Sequence, residues 1–221
     1  MKPNSKPWTS AFSRIELLVI VAVVVLLGGV LFPKFIQAKR KAKQISCVSN
    51  LKIIGLAFRI WGGDHGERFP MALSVTNGGA LEVSNQVWRS FQILSNELTV
   101  PLLLACPTDV RRPATNFSSL ANSNISYFIG LDADESMPEL LLAGDFYLST
   151  GRPTVNKVLT IQTNDMATWS TMNHEGRGDV ALADGSVQQF SADKLRVAVK
   201  SALKVNWETN ANATLRLAMP E

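Results

Sequence analysis

Few residues in this chain are equipped for chemistry, and they are widely spaced. Its 221 residues include two histidines, His65 and His174, and two cysteines, Cys47 and Cys106. His174 is followed after nine residues by Asp184-Gly185. The His174 imidazole is a residue type that can serve as a base or a metal ligand. The same residues also suit a hydrogen-bonding loop histidine and a tight Asp-Gly turn. His65 lies beside glycines and reads as surface loop. Asp132, Asp134, Glu135 and Asp145 are the acids that merit consideration for a hard cation. The run Asp132-x-Asp134-Glu135 lacks the ligand spacing and the glycine of an EF-hand loop. Two cysteines exclude a four-cysteine zinc site. There is no Gly-x-Ser-x-Gly, P-loop, His-Glu-x-x-His or dinucleotide fingerprint. The expectation is a protein that is not an enzyme and uses no cofactor or metal. The remaining group of interest is Glu16, a lone carboxylate one turn inside an apolar run.

Charge and composition say where such a carboxylate sits. The chain carries +4 with a pI near 9.2, a balance that invites a nucleic-acid reading. Its distribution argues against one. Residues 1–11 carry +2, residues 34–43 carry +5 without an acid, and residues 44–221 carry −3. The basic clusters flank an apolar segment, so they read as membrane flanks, and no nucleic-acid partner is expected. Hydrophobic residues make up 46% of the chain, which excludes disorder as its main state.

Leu17 to Phe32 is an unbroken apolar run of 16 residues. Phe12, Ile15, Phe35 and Ile36 extend it toward the roughly 20 residues that a spanning helix needs. A secretory signal peptide is one reading, but no small-x-small cleavage site follows the run. A plain N-terminal anchor is another. Neither accounts for Glu16, since an ionisable residue at such depth is a functional-site candidate by default. Past Pro33 the pattern stays helical. Ile45, Val48, Leu51, Ile54, Phe58 and Trp61 form one stripe of a 3.6-residue period, ending at Gly62-Gly63. Pro33 removes one helical hydrogen bond and predicts a kink.

The string Ala11-Phe12-Ser13-Arg14-Ile15-Glu16-Leu17-Leu18-Val19 resembles the processing site of type IV prepilins and type II secretion pseudopilins. The resemblance implies that prepilin peptidase cuts between Ala11 and Phe12 and that Phe12 becomes N-methylated. It makes Glu16 the fifth mature residue, the family's hallmark, and places Pro33 where the family tends to carry a proline. Ala11 stands where the family usually has Gly, and Arg14 where it has an apolar or small polar residue. The implied organisation is a leader (1–11), a transmembrane helix segment (12–36), a stalk half of the same helix (37–63) and an α+β head (64–221). The implied location is the bacterial inner membrane, single-pass, with the head periplasmic. The positive-inside rule taken alone favours the opposite orientation, because the downstream flank is the more basic. Implied partners are prepilin peptidase, other pilin or pseudopilin subunits, the secretion assembly platform and inner-membrane lipid. With both cysteines outside the cytoplasm, Cys47 and Cys106 are either one disulfide or two buried thiols. Some type II pseudopilins hold Ca²⁺ in their heads, which is the reason for weighing the four acids above.

In the head, Ser126–Leu131, Leu140–Ala143 and Val158–Gln162 read as short strands. Residues 77–79 and 84–86 read as loops, and Val87–Leu94 and Val100–Ala105 are left unassigned. Gly178–Phe190 reads as a β-hairpin with a type I′ Asp184-Gly185 turn. A helix starting near Ser191 follows, and Thr214–Met219 is read as an edge strand. The expected fold is a long helix packed on a small antiparallel sheet, pilin-like. The His174-x9-Asp184-Gly185 signature, with Cys47-Val-Ser-Asn, Cys106-Pro-Thr-Asp and Ser126-Tyr-Phe-Ile-Gly, is similar to pseudopilin-like proteins common in planctomycete and verrucomicrobial lineages. The leading expectation is a structural subunit of a type II secretion or type IV pilus-like filament. The alternative is a membrane-tethered module whose head recognises a polysaccharide or secreted protein. A metal-dependent enzyme is the third and weakest reading.

Overall fold

The computed structural model describes residues 13–170, 176–209 and 214–221. Its contacts divide the chain into two units, Met1–Ala42 and Lys43–Glu221. One helix, α1 (Arg14–Asp64), contributes to both and continues through Pro33. Gly62 and Gly63 remain helical. The chain reverses at Gly66 and Glu67, both at positive φ, with the Glu67 N–H bonding back to the Gly62 carbonyl. The predicted stop at Gly62-Gly63 is therefore early, because two helical glycines cost only about 2 kcal/mol together and Gly62 is buried.

In the first unit, α1 is apolar from Leu17 to Phe32, and none of the side chains described there is buried. It is long and apolar enough to cross a membrane. In the second unit, Cys47, Leu51, Ile54, Phe58 and Trp61 point into the core. Ile45, expected on that stripe, is 61% exposed. At 100° per residue Ile45 lies about 200° from Cys47, so the cysteine takes the place expected of Ile45. The Phe58 ring meets Phe69 and Phe91 edge-on, at centroid distances of 5.8 and 6.1 Å.

After α1 come short 3₁₀ turns and two small helices, α2 (Val87–Ile93) and α3 (Ser95–Leu98), then a 3₁₀ turn at Pro101–Leu104. These fill the stretches that the sequence left unassigned. Eight strands follow: β1 (Tyr127–Gly130), β2 (Leu141–Asp145), β3 (Leu148–Ser149), β4 (Val158–Ile161), β5 (Thr168–Trp169), β6 (Arg177–Leu182), β7 (Val187–Ser191) and β8 (Leu215–Ala218). Six of them form an antiparallel sheet in the order β4-β8-β1-β2-β6-β7, while β3 and β5 form a two-stranded sheet. The long N-terminal helix and this sheet make the chain α+β. Every residue of β1 and β2 is buried, so the sheet centre is covered on both faces. Helix α4 (Ala192–Thr209) packs against β5, β7 and β8.

Two expectations are corrected here. β8 lies inside the sheet, paired with β1 and β4, and is not an edge. Its Leu215, Leu217 and Ala218 are buried, which an interior position requires. The β6–β7 hairpin does not close with a type I′ turn. Its link is Ala183-Asp184-Gly185, with the Gly185 N–H on the Leu182 carbonyl at 2.9 Å and the Leu182 N–H on the Ser186 carbonyl at 2.9 Å. Only Gly185, at φ +83°, is left-handed. A type I′ turn needs positive φ at both central residues, whereas a three-residue link needs it only at the glycine.

Candidate functional site

Glu16 lies in the first helical turn of α1 and is exposed there, with Ile15, Leu17, Leu18 and Val19 beside it. Beyond it the helix presents apolar surface from Leu17 on, while exposed Arg14 shares its first turn. Ala11 and Phe12, the expected cleavage and methylation positions, lie outside the described residues, as does His174.

On the second unit, Cys47 of α1 is joined by a disulfide to Cys106, with Cα atoms 5.2 Å apart. Both residues are buried. The bridge ties the helix to the loop that follows the 3₁₀ turn at Pro101–Leu104. In that loop Asp109 accepts from the Tyr147 hydroxyl at 2.9 Å and from the Val110 N–H at 2.6 Å. Arg111 bonds from Nη1 to the carbonyls of Asn122, Ile125 and Pro220, and its guanidinium stacks on Phe146 at 3.8 Å.

The Asp184-Gly185 tip of the hairpin rests on α1. Asp184 accepts the Ser186 N–H on its own side chain at 2.8 Å, which holds the turn. A Cβ placed on Gly55 would lie 3.6 Å from the Gly185 Cα and 3.8 Å from the Ala181 Cβ. Hairpin and helix thus meet here with room for a Cβ on Gly55. This geometry gives Asp184 and Gly185 a docking role in the fold.

The four acids weighed for calcium do not converge. Asp132 takes both the Arg216 guanidinium, at 2.6 and 2.9 Å, and the Arg216 N–H, at 2.7 Å. Asp134 accepts from the Ser136 N–H at 2.9 Å and from its hydroxyl at 2.5 Å. Glu135 faces Arg59 at 3.3 Å. Asp145 is buried at the end of β2. Among the described residues no group of three His, Cys, Asp or Glu side chains is placed to hold a metal ion.

Asp145 belongs instead to a buried acidic pair that the sequence analysis missed. The Asp179 N–H on β6 donates to Asp145 Oδ2 at 2.9 Å, and Gln189 Nε2 on β7 donates to Asp179 Oδ1 at 3.2 Å. Both aspartates are at most 1% exposed. Burial raises the Asp179 carboxyl to about 6, against the Gln189 hydrogen bond. Burial also raises Asp145 well above its ordinary value, with the neighbouring Asp179 and Asp109 adding to the effect and the Asp179 N–H opposing it. Tyr127, paired in register with Asp145, has its phenol pushed up by burial and by that carboxylate. In the sequence Asp145 and Asp179 each adjoin only apolar residues or glycine, which points to burial of each but not to their pairing.

A groove of about 520 Å³ between α4 and β7 is lined by Leu182, Phe190 and Val197, with Glu139, Asp193 and Lys194 at its rim. No family model, no curated protein and no solved structure matches the chain.

Proposed function

We propose that this chain is a pseudopilin-like structural subunit. It is cut by prepilin peptidase between Ala11 and Phe12, methylated at Phe12, and held in the inner membrane by the first half of α1 with its head outside the cytoplasm. Together with other pilin or pseudopilin subunits it is drawn by the assembly platform into a filament of a type II secretion or type IV pilus-like system. Its work is assembly, with no chemistry on a substrate.

The observation that carries this reading is Glu16 at the start of a helix segment that is apolar from Leu17 to Phe32, with none of the side chains described there buried. A carboxylate in hydrocarbon costs on the order of 3 kcal/mol on insertion scales. The terminal ammonium of a neighbouring processed subunit would offset that cost only after docking, which favours assembly over the free subunit. A second observation supports it. Ile45, Ile53, Leu56 and Ile60 are 61%, 37%, 56% and 49% exposed. They form an apolar stripe on α1 away from Cys47, Leu51, Ile54 and Phe58. A helix apolar on both faces is built to be covered on both.

The test is Glu16→Ala in cells that express the filament system. Processing, read as the mass of the mature chain, should proceed normally. Cross-linking between subunits should be lost. Normal incorporation of the variant would sink the proposal.

A further inference from the structure

Immediately beyond the apolar part of α1 lie Lys34, Lys39, Arg40 and Lys41, all exposed. At 100° per residue, taking Lys34 as zero, the others fall at about 140°, 240° and 340°. The four cations thus encircle the helix within an axial length of about 10 Å. This arrangement discriminates between partners. A nucleic-acid groove or a protein surface meets a helix from one side and selects a one-sided row of charge. A bilayer surrounds the helix and meets it with headgroups on every side. Phe32 and Phe35, each 69% exposed, flank Lys34, and the cationic side chains carry long apolar stems that suit the boundary between hydrocarbon and headgroup.

We infer that Lys34, Lys39, Arg40 and Lys41 form a collar that binds the phosphate headgroups of anionic lipids around α1. The inference rests on the reading that the preceding segment spans a bilayer. The collar fixes the depth of the helix and concentrates anionic lipid around the unassembled subunit. Drawing the subunit out of the membrane must then break these contacts, which adds a barrier to extraction that depends on lipid composition.

The experiment uses the full chain with a fluorescent donor on Ala38→Cys. Ala38 is exposed, and Cys47 and Cys106 are already joined, so the new thiol is labelled selectively. The protein is reconstituted into phosphatidylcholine vesicles that contain either acceptor-labelled phosphatidylglycerol or acceptor-labelled phosphatidylcholine. Energy transfer should report the anionic lipid enriched by about fivefold for each cation engaged, the ratio corresponding to ~1 kcal/mol. High salt should collapse the enrichment. The variant with Lys34→Gln, Lys39→Gln, Arg40→Gln and Lys41→Gln should still co-float with vesicles and lose the enrichment. Equal transfer from the two lipids overturns the collar while leaving the spanning reading intact. Equal transfer together with duplex DNA binding that the same variant abolishes would reassign the cations to nucleic acid. Failure of the parent chain to co-float with vesicles of either composition overturns the spanning reading and the collar with it.

Discussion

Arg59 on α1 donates from Nη1 to the main-chain carbonyl of Asp184, 3.1 Å away, and its Nε lies 3.3 Å from Glu135 Oε1. One half-exposed guanidinium therefore joins the helix, the hairpin tip and the loop after β1. At this contact Gly185 adopts φ +83°, and Gly55 of α1 lies against it. Gly185→Ala should cost about 1 kcal/mol for a left-handed alanine. The added Cβ would also lie 3.1 Å from the Arg59 Cδ, a flexible neighbour able to shift. Gly55→Ala should be nearly neutral, because its Cβ finds ordinary contacts, whereas Gly55→Leu should cost about 1–3 kcal/mol by overpacking. Urea unfolding followed by tryptophan fluorescence gives all three values.

The buried acids make the head sensitive to pH in a defined direction. Asp179 titrates at about 6 when folded, above its ordinary 3.8. Folding therefore favours its protonated form. The stability this represents is fully present below pH 4 and is lost as pH rises through 6. The loss is roughly 3 kcal/mol from Asp179 alone, and Asp145 acts in the same direction. Asp179→Asn should flatten the dependence of the urea midpoint between pH 4 and pH 7. A wild-type midpoint that rises over this interval would contradict the assignment.

The Cys47–Cys106 bridge closes a loop with a sequence separation of 59. The chain-entropy model gives it about 4 kcal/mol. Replacing both cysteines with serine should lower the unfolding free energy by that order and leave two polar groups in buried positions. The comparison is urea unfolding of the double variant against the oxidised parent.

In the proposed filament, Leu56 distinguishes assembly from folding. It is 56% exposed on the apolar stripe of α1. Leu56→Lys should change head stability by no more than about 0.5 kcal/mol while reducing cross-linking to neighbouring subunits. An unchanged cross-linking yield would remove the stripe from the assembly surface.

Much of the local structure was legible in the sequence. β1 and β4 lie within the runs expected to be strands, and β2 overlaps its run but continues two residues further to Asp145, because short apolar or β-branched stretches between Gly, Asn and Pro have few alternatives. The β6–β7 hairpin was legible for the same reason. Its turn type was not, since Asp-Gly serves a two-residue and a three-residue link equally well. The interior place of β8 was hidden because strand order is a long-range property, with Ile129 meeting Ala218. The helix stripe was right from Leu51 to Trp61. It failed at Ile45, where the bonded Cys47 sets which face turns inward. Asp145 and Asp179 went unremarked as a pair because nothing local announces that two carboxylates on different strands will be neighbours.

The place of β8 has a consequence for how the molecule comes into being. Until Leu215–Ala218 are available, β1 and β4 lack the strand that joins them. The disulfide and the pairing of β1 with β2 involve only residues synthesised earlier. The bridge and the β1–β2 pair can thus be in place while the seam between β1 and β4 is still open, and Leu215–Ala218 close it. Any product cut short before Leu215 would keep that seam exposed, an unpaired edge open to proteolysis.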